Sequence, residues 1–291
     1  MTIHCYGSIN IDHVHRVPHF PAPGETLSDL SYEMHLGGKG ANQALAASAA
    51  GARVAMIGAV GPDGAWARSR LAQAGLDVSF LSESAQATGH AVIYVTPDGE
   101  NQIVIHGGAN RTLSAELSTK SLENASSGDW WLCQNETNRV TEAAEAARAR
   151  GVRVAYAAAP FVAEDATKIL PYADLVAVNK LEAQELAKHL GQSVEAMQIP
   201  MMLITEGPAG ARLIANGKEI AIPAFPVNAV DTTGAGDTFL GTFLAGLDCG
   251  HEPRSALTRA AAAAAIQVTR PGASDAIPSI DEVDAFLKDH V

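Results

Sequence analysis

Short apolar runs alternate with helical stretches almost from one end of the chain to the other, and that rhythm excludes most architectures. Candidate strands cover residues 3–9, 54–59, 130–133, 152–156, 175–178 and 201–205, and candidate helices cover residues 41–50, 65–74, 142–150, 180–190, 237–247 and 252–269. Strands separated by helices of this length build βαβ units, which give a mainly parallel sheet covered on both faces. The expected fold class is therefore α/β, a doubly wound and mainly parallel sheet in a single domain over residues 1–291. Residues of the set AVILMFWYC make up 47% of the chain, enough to fill such a core and too many for a disordered chain.

Two segments break the rhythm. Residues 12–36 carry Pro18, Pro21 and Pro23, then Gly24, with no helical period. Residues 89–107 read as a hairpin, with residues 91–96 and 101–106 joined by the turn Pro97-Asp98-Gly99-Glu100. Four short strands outside the βαβ pattern would form a small second sheet. In open α/β folds ligands bind beyond the carboxyl ends of the strands, where such an excursion acts as a lid.

Composition narrows the function classes. Lys and Arg number 20 against 32 Asp and Glu, a formal charge of -12, and no basic cluster interrupts the balance. Nucleic acid is not an expected partner, because its phosphates need a basic face. A small phosphate ligand remains open, since backbone amides hold one locally. No apolar run reaches the roughly 18 uncharged residues of a membrane span, and no basic segment precedes an apolar one near the N-terminus. Cys5, Cys133 and Cys249 are far apart and in no CxxC pair, so neither a disulfide framework nor a zinc knuckle is expected. The expected setting is cytoplasmic.

Four motifs carry potential chemistry. In Asp231-Thr232-Thr233-Gly234-Ala235-Gly236-Asp237-Thr238-Phe239 a glycine-rich turn opens a helix, leaving free N–H groups at the positive end of its dipole. That arrangement suits an anion, and a carboxylate beside it would take a proton from an attacking hydroxyl. Asp237 is equally readable as a plain helix N-cap. A dinucleotide fingerprint is excluded, because its third glycine would fall at Phe239. In Leu36-Gly37-Gly38-Lys39-Gly40-Ala41-Asn42-Gln43-Ala44 glycines again run into a helix, but Gly40 follows Lys39, so this is not a P-loop. Here the glycines are readable as an ordinary turn, and Lys39 as a solvated charge. Gly7-Ser8-Ile9-Asn10-Ile11-Asp12 ends the first strand with Asn10 and Asp12 on one side. Asn179-Lys180-Leu181-Glu182 follows another strand, where helix capping is the simpler explanation.

Taken together and in chain order, from Gly7–Asp12 through Gly37–Ala44 and Asn179-x-x-Glu182 to Asp231–Phe239, the four motifs strongly resemble the ribokinase-like carbohydrate kinase family. The resemblance spans essentially the whole chain and includes residues 89–110, Val268-Thr269-Arg270-x-Gly272 and Pro21-x-Pro23-Gly24-Glu25-Thr26. It implies an ATP-dependent kinase acting on the terminal hydroxyl of a pentose, with ribose first. A nucleoside kinase, or a kinase of another sugar on the same fold, is the alternative. From a different class comes a non-catalytic sugar-binding regulator, which retention of Asp237 opposes.

By resemblance, Asp237 matches the catalytic base, and Gly234, Ala235 and Gly236 the anion hole for the transferring phosphoryl group. Asn10, Asp12, Gly38, Lys39, Asn42 and Glu136 match sugar-binding positions, together with Asp237. Asn179, Thr205, Gly207, Gly210 and Gly236 match the ATP site. Asn179 and Glu182 match the pair that orders Mg²⁺ through water. Asp231, Thr233, Arg270 and Gly272 match the loop of a monovalent cation, K⁺, held mostly by backbone carbonyls. The chain departs from the family at Ala157, where an asparagine is common, at Glu206, a negative charge beside the nucleotide loop, and in a shortened segment 183–204.

The lid hairpin adds a prediction from strand periodicity. Ala91, Ile93 and Val95 point to one face, Val92 and Tyr94 to the other, and Ile103 and Ile105 lie opposite Val104. A ribbon apolar on both faces is marginal in water, so one face is expected to cover the sugar and the other to meet the same lid in a two-fold homodimer. The alternative is that the outer face folds back onto its own core.

Overall fold

The computed structural model describes residues 1–290. The chain runs β1 (Thr2–Tyr6), β2 (Asn10–Arg16), β3 (Ser31–Gly37), α1 (Lys39–Ala49), β4 (Arg53–Val60), α2 (Ala65–Gln73), β5 (Leu81–Glu83), β6 (Gly89–Val95) and β7 (Asn101–His106). It continues through α3 (Ala115–Glu123), β8 (Trp130–Gln134), α4 (Val140–Ala149), β9 (Arg153–Ala157), α5 (Ala163–Ile169), β10 (Leu175–Asn179), α6 (Lys180–Leu190) and β11 (Met201–Thr205). Last come β12 (Ala211–Ala215), β13 (Lys218–Ile222), α7 (Ala235–Asp248), α8 (Pro253–Val268) and α9 (Ile280–His290).

Nine strands form one sheet in the order β13-β12-β11-β10-β9-β8-β1-β4-β5. From β11 to β5 every neighbour is parallel, and β12 and β13 close one edge as an antiparallel hairpin. The strands are apolar on both sides, as a parallel sheet covered by helices requires. In β8, Trp130 and Leu132 join the core under α1, α2, α7 and α8, while Trp131 and Cys133 join the core under α3, α4, α5 and α6. From β1 the chain leads to β4 on one side and returns through β8 on the other. The sheet therefore reverses direction at β1, where ligands bind in this class of fold.

The four remaining strands make a separate small sheet, β3-β2-β6-β7, in which β2 and β6 are parallel and both outer pairs antiparallel. The hairpin falls where the Asp-Gly turn places it. Two boundaries differ from expectation. The expected strand over residues 3–9 is two strands, because the chain leaves the large sheet at Gly7 and re-enters the small one at Asn10. The small sheet accordingly begins at residue 10 rather than 12. Helices α3, α5 and α9 and the β12–β13 hairpin are additional to the elements expected from the sequence. Among the described residues no helix is long and apolar enough to cross a membrane.

Register corrects the expectation of two greasy lid faces. Residues paired across strands share a face. Asn10, Asp12 and Val14 therefore lie with Gly89, Ala91 and Ile93 and, on β7, with Ile103 and Ile105. The opposite face carries Val92, Tyr94 and Val104, but between them stand His13, His15, His90, His106 and Tyr32. It is an aromatic and imidazole surface, with the His15 ring between Tyr32 and Tyr94, tilted against each at centroid distances of 4.9 and 5.8 Å. Its β7 edge is open, with Val104 66% exposed.

Candidate active site

The site gathers at the carboxyl ends of β1 and β8, under the first turns of α1 and α7. Glycines permit the approach. A Cβ on Gly40 would lie 2.5 Å from backbone atoms of Gly7 and Ser8, so α1 starts in direct contact with the end of β1. A Cβ on Gly241 would overlap the Gln43 carbonyl, so α7 lies against α1 with only hydrogen between them.

That packing delivers Asp237. It is the third residue of α7, whose N-cap is Gly234 at φ 74°, and its side chain caps nothing. The N-cap reading of Asp237 is therefore corrected. The side chain turns toward α1, where Asn42 donates through Nδ2 to Oδ2 at 3.2 Å and Gln43 through Nε2 to Oδ1 at 2.8 Å. Buried Gln134 on β8 donates to Gln43 Oε1 at 2.7 Å, which fixes the Gln43 amide as a donor toward the aspartate. Burial pushes the Asp237 carboxyl above its ordinary range; Lys39 and the two amides oppose this, while the charge of Glu136 adds to it. The result is an oriented carboxylate with lone pairs to spare. Beside it, Gly236 faces open space: a Cβ there would meet nothing within 4 Å. The Gly236 and Asp237 amides stand in the first turn, where no intrahelical acceptor exists.

The expected sugar positions converge around the same opening. Glu136 accepts from the Ser8 hydroxyl and from the Lys39 backbone amide at 3.0 Å, which links the β8 exit, the β1 exit and the α1 start. Gly38 adopts φ 90° against the backbone of Ser8 and Asn10. Asn10 Oδ1 accepts from Asn110 Nδ2 at 2.8 Å, and Asn110 also bonds the amide and carbonyl of Ile9. Asp12 leans over Gly37, where a Cβ would overlap the carboxylate. Burial pushes the Asp12 carboxyl up to about 6, the charge of Glu136 adds to this, and His35 opposes it. Asn42 Oδ1 is buried with no protein partner, an acceptor left for a ligand hydroxyl.

The other expected groups lie farther along the sheet edge. Asn179 and Glu182 form a complete capping box: Glu182 N donates to Asn179 Oδ1 at 2.9 Å, and Asn179 N to Glu182 Oε2 at 2.7 Å. Burial raises the Glu182 carboxyl, and the Asn179 amide and the Lys39 charge oppose it. Lys39 thus acts electrostatically on both Asp237 and Glu182. Thr205 pairs with Asn179 across β11 and β10, and Gly207 and Gly210 follow in a short turn. The charge of Glu206 beside that turn is answered by Arg212 at 3.6 Å and Lys180 at 3.9 Å.

Asp231 is a loop organiser. Its two oxygens accept from the Thr233 and Gly272 amides, both at 2.9 Å. Burial opposes its ionisation, but these bonds hold its carboxyl below the ordinary range. Arg270 turns outward to Glu282 at 2.6 Å, so only its backbone faces the loop. Among the described residues no group of three or more His, Cys, Asp or Glu side chains is arranged to hold a metal ion.

Sequence reasoning assigned no role to Gln43, Ser8, Asn110, Gln134 or Gln267. Gln267 lies wholly buried on α8. It accepts from the Thr238 hydroxyl and donates to the carbonyls of Thr233 at 2.9 Å and Ala273 at 3.3 Å, tying the α7 turn to the loop after α8. An isolated glutamine among alanines, Ala265-Ile266-Gln267, was the available signal for it.

Comparison with known proteins gives the family. The family model for pfkB family carbohydrate kinases matches residues 2–280. A ribokinase of Haemophilus influenzae is 38% identical over 99% of this chain and 98% of its own length. The crystal structure of a Thermotoga maritima ribokinase superposes with a TM-score of 0.87 at 32% identity, covering 99% of this chain and 98% of that one. An Arabidopsis thaliana ribokinase complexed with ribose and ATP gives a TM-score of 0.83 at 28% identity, covering 99% and 98%. The chain belongs to the pfkB family of carbohydrate kinases, phosphotransferases that act on a sugar hydroxyl.

Proposed function

We propose that this chain is an ATP-dependent ribose kinase that transfers the γ-phosphoryl group of ATP to the terminal CH₂OH of the sugar. The observation that carries the reading is Asp237, held by Asn42 and Gln43 beside the unpaired amides at the start of α7. The sugar is bounded by Asn10, Asp12, Gly38, Lys39, Asn42 and Glu136, a set rich in acceptors for ring hydroxyls. Asp237 accepts the proton of the terminal hydroxyl as its oxygen bonds to the γ-phosphorus and the bond to ADP breaks. In the Gly234-Ala235-Gly236 turn Ala235 N donates to the Thr232 carbonyl at 3.3 Å, which leaves the Gly236 amide, with that of Asp237, for the equatorial oxygens, where positioning and charge neutralisation supply most of the catalysis. ATP lies toward Asn179, Thr205, Gly207 and Gly210. The small sheet is the lid of this single domain.

The residues fit both expected cations. Glu182 keeps one oxygen free beyond its capping bond, which suits a water-bridged Mg²⁺ rather than a direct ligand. Bound there, Mg²⁺ supplies charge neutralisation to the phosphates. Asp231 spends both oxygens on amides, so its loop with Thr233, Arg270 and Gly272 offers K⁺ carbonyls rather than side chains. Rates in K⁺ should exceed those in a bulky organic cation at equal ionic strength; equal rates remove K⁺ from the account. The outer lid face, with Val92, Tyr94 and Val104, is the proposed homodimer surface.

The reading is tested by ADP release with a panel of ribose, 2-deoxyribose, hexoses and nucleosides, each with ATP and Mg²⁺. The highest kcat/KM is expected with ribose. A nucleoside at the top of the ranking would replace the proposal.

A further inference from the structure

His35 lies on β3 directly opposite Asp12, on the face of the small sheet that the sugar site uses. Its ring is held at both nitrogens by carboxylates: Nδ1 lies 2.9 Å from Asp275 Oδ2 and Nε2 lies 3.1 Å from Glu33 Oε2. Ionised carboxylates only accept, so both nitrogens must donate, which only the imidazolium does. The second oxygen of Asp275 is taken by Arg70 of α2 at 2.6 Å. One residue earlier, the Ser274 hydroxyl donates to the Leu36 carbonyl at 2.5 Å. The turn after α8 therefore grips the end of β3 at two successive residues, and β3 continues directly into Gly37, Gly38 and Lys39.

We propose that His35 is a positioning residue for the sugar: clamped as a cation by Asp275 and Glu33, it fixes the base of β3 and keeps the facing Asp12 carboxylate charged for the ring hydroxyls. This rests on the sugar site described above. The need for a cation is local. Glu136, from the loop after β8, pushes Asp12 toward its neutral form, as does burial, and His35 is the charge that opposes them. Across β6 the register partner of Asp12 is Ala91, which brings no charge. The groups facing His35 are Glu33 on its own strand, Asp12 on β2, Asp275 after α8 and, through Asp275, Arg70 on α2. Burial disfavours a charged His35 ring, but its two carboxylate partners raise its pKa above the ordinary value. With Asp275 and Glu33 ionised, the hydrogen bonds at both ring nitrogens describe His35⁺ facing Asp12. Asp12 loses its charge, and with it an acceptor, as pH falls through about 6.

The test compares wild type with His35→Gln and His35→Lys. In wild type, kcat/KM for ribose should fall on the acid side of about pH 6. In His35→Gln that limb should move upward by about one pH unit, the low end of what a nearby opposite charge does. The accompanying loss of kcat/KM at pH 6 is roughly fivefold. The effect should appear in KM for ribose, with kcat and KM for ATP unchanged. His35→Lys keeps a cation and should return the limb toward its wild-type position; a purely structural role would not be rescued this way. A limb unmoved in His35→Gln overturns the proposal. Titration of the Asp12 carboxyl by ¹³C NMR, assigned with Asp12→Asn, needs no substrate. It reads the same shift even if ribose is not the sugar, and an unchanged midpoint in His35→Gln is equally fatal.

Discussion

The two sheets are held by opposite means. In the large sheet, β8 is buried at every residue and glycines such as Gly7, Gly40 and Gly241 bring backbones into contact. In the small sheet, β7 is exposed at every residue, and a methyl group added at Gly99, the glycine of its turn, would meet nothing within 4 Å. Asp237 belongs to the first region and Asp12 to the second. The group proposed to take the proton is thus placed by close packing, while the group proposed to read the sugar is placed by a few polar ties, among them Asn110 to Asn10 and Asp275 to His35. Rigid placement suits a reacting group, where small displacements are expensive. A sheet with the proposed lid role, admitting and releasing a sugar, is better held by bonds that yield.

The contrast is sharpened most by Asp237→Asn, which should lower kcat by about 10²–10⁴-fold, the usual worth of a positioned base. Ribose binding by calorimetry should persist, because the amide keeps the shape of the carboxylate. Near-wild-type turnover would return Asp237 to a packing role. A smaller effect on chemistry, but a complete one on assembly, is expected of Val92→Asp with Tyr94→Asp. Light scattering should move from a dimer to the 30.2 kDa chain, and sugar binding should weaken. A wild-type mass already near 30.2 kDa would end the dimer proposal. The smallest effect separates the sheets by stability alone. Gly40→Ala forces a methyl to about 2.5 Å from backbone atoms and should cost about 3 kcal/mol, the upper end of what overpacking does. Gly99→Ala meets open space and strains only a φ of 86°, which costs about 1 kcal/mol. Equal losses of Tm would contradict the difference in packing.

Much of this was legible in the sequence for physical reasons. Strands buried on both faces must be apolar throughout, so residues 130–133 and 201–205 announced themselves. The Asp-Gly turn fixed the hairpin, and period-two alternation correctly divided Ala91 and Ile93 from Val92 and Tyr94. What alternation within the hairpin could not show was what the neighbouring strand adds to each face. The histidines of β2 reach the outer face only through the parallel pairing of β2 with β6, a contact between residues about 80 positions apart. For the same reason the supports of the site stayed hidden. Gln134 and Gln43 are ordinary polar residues until β8 and α1 are adjacent, and Gln267 is ordinary until the end of α8 meets the α7 turn. The break at Gly7 was obscured because Ile9 and Ile11 continue an apolar alternation while the chain changes sheets. Asn179 and Glu182 were recognisable as a capping pair from their spacing, and they do cap α6.

The central claim is that Asp237 takes the proton of a terminal sugar hydroxyl while the α7 turn holds the transferring phosphoryl group. The most direct test is to let the enzyme act on uniformly ¹³C-labelled ribose with ATP and Mg²⁺ and to read which carbon couples to phosphorus by NMR. Coupling to the terminal C5 carbon, appearing about 10²–10⁴-fold more slowly in Asp237→Asn, is the predicted result. Coupling to the anomeric carbon, or ADP release with no phosphorylated sugar, would contradict it.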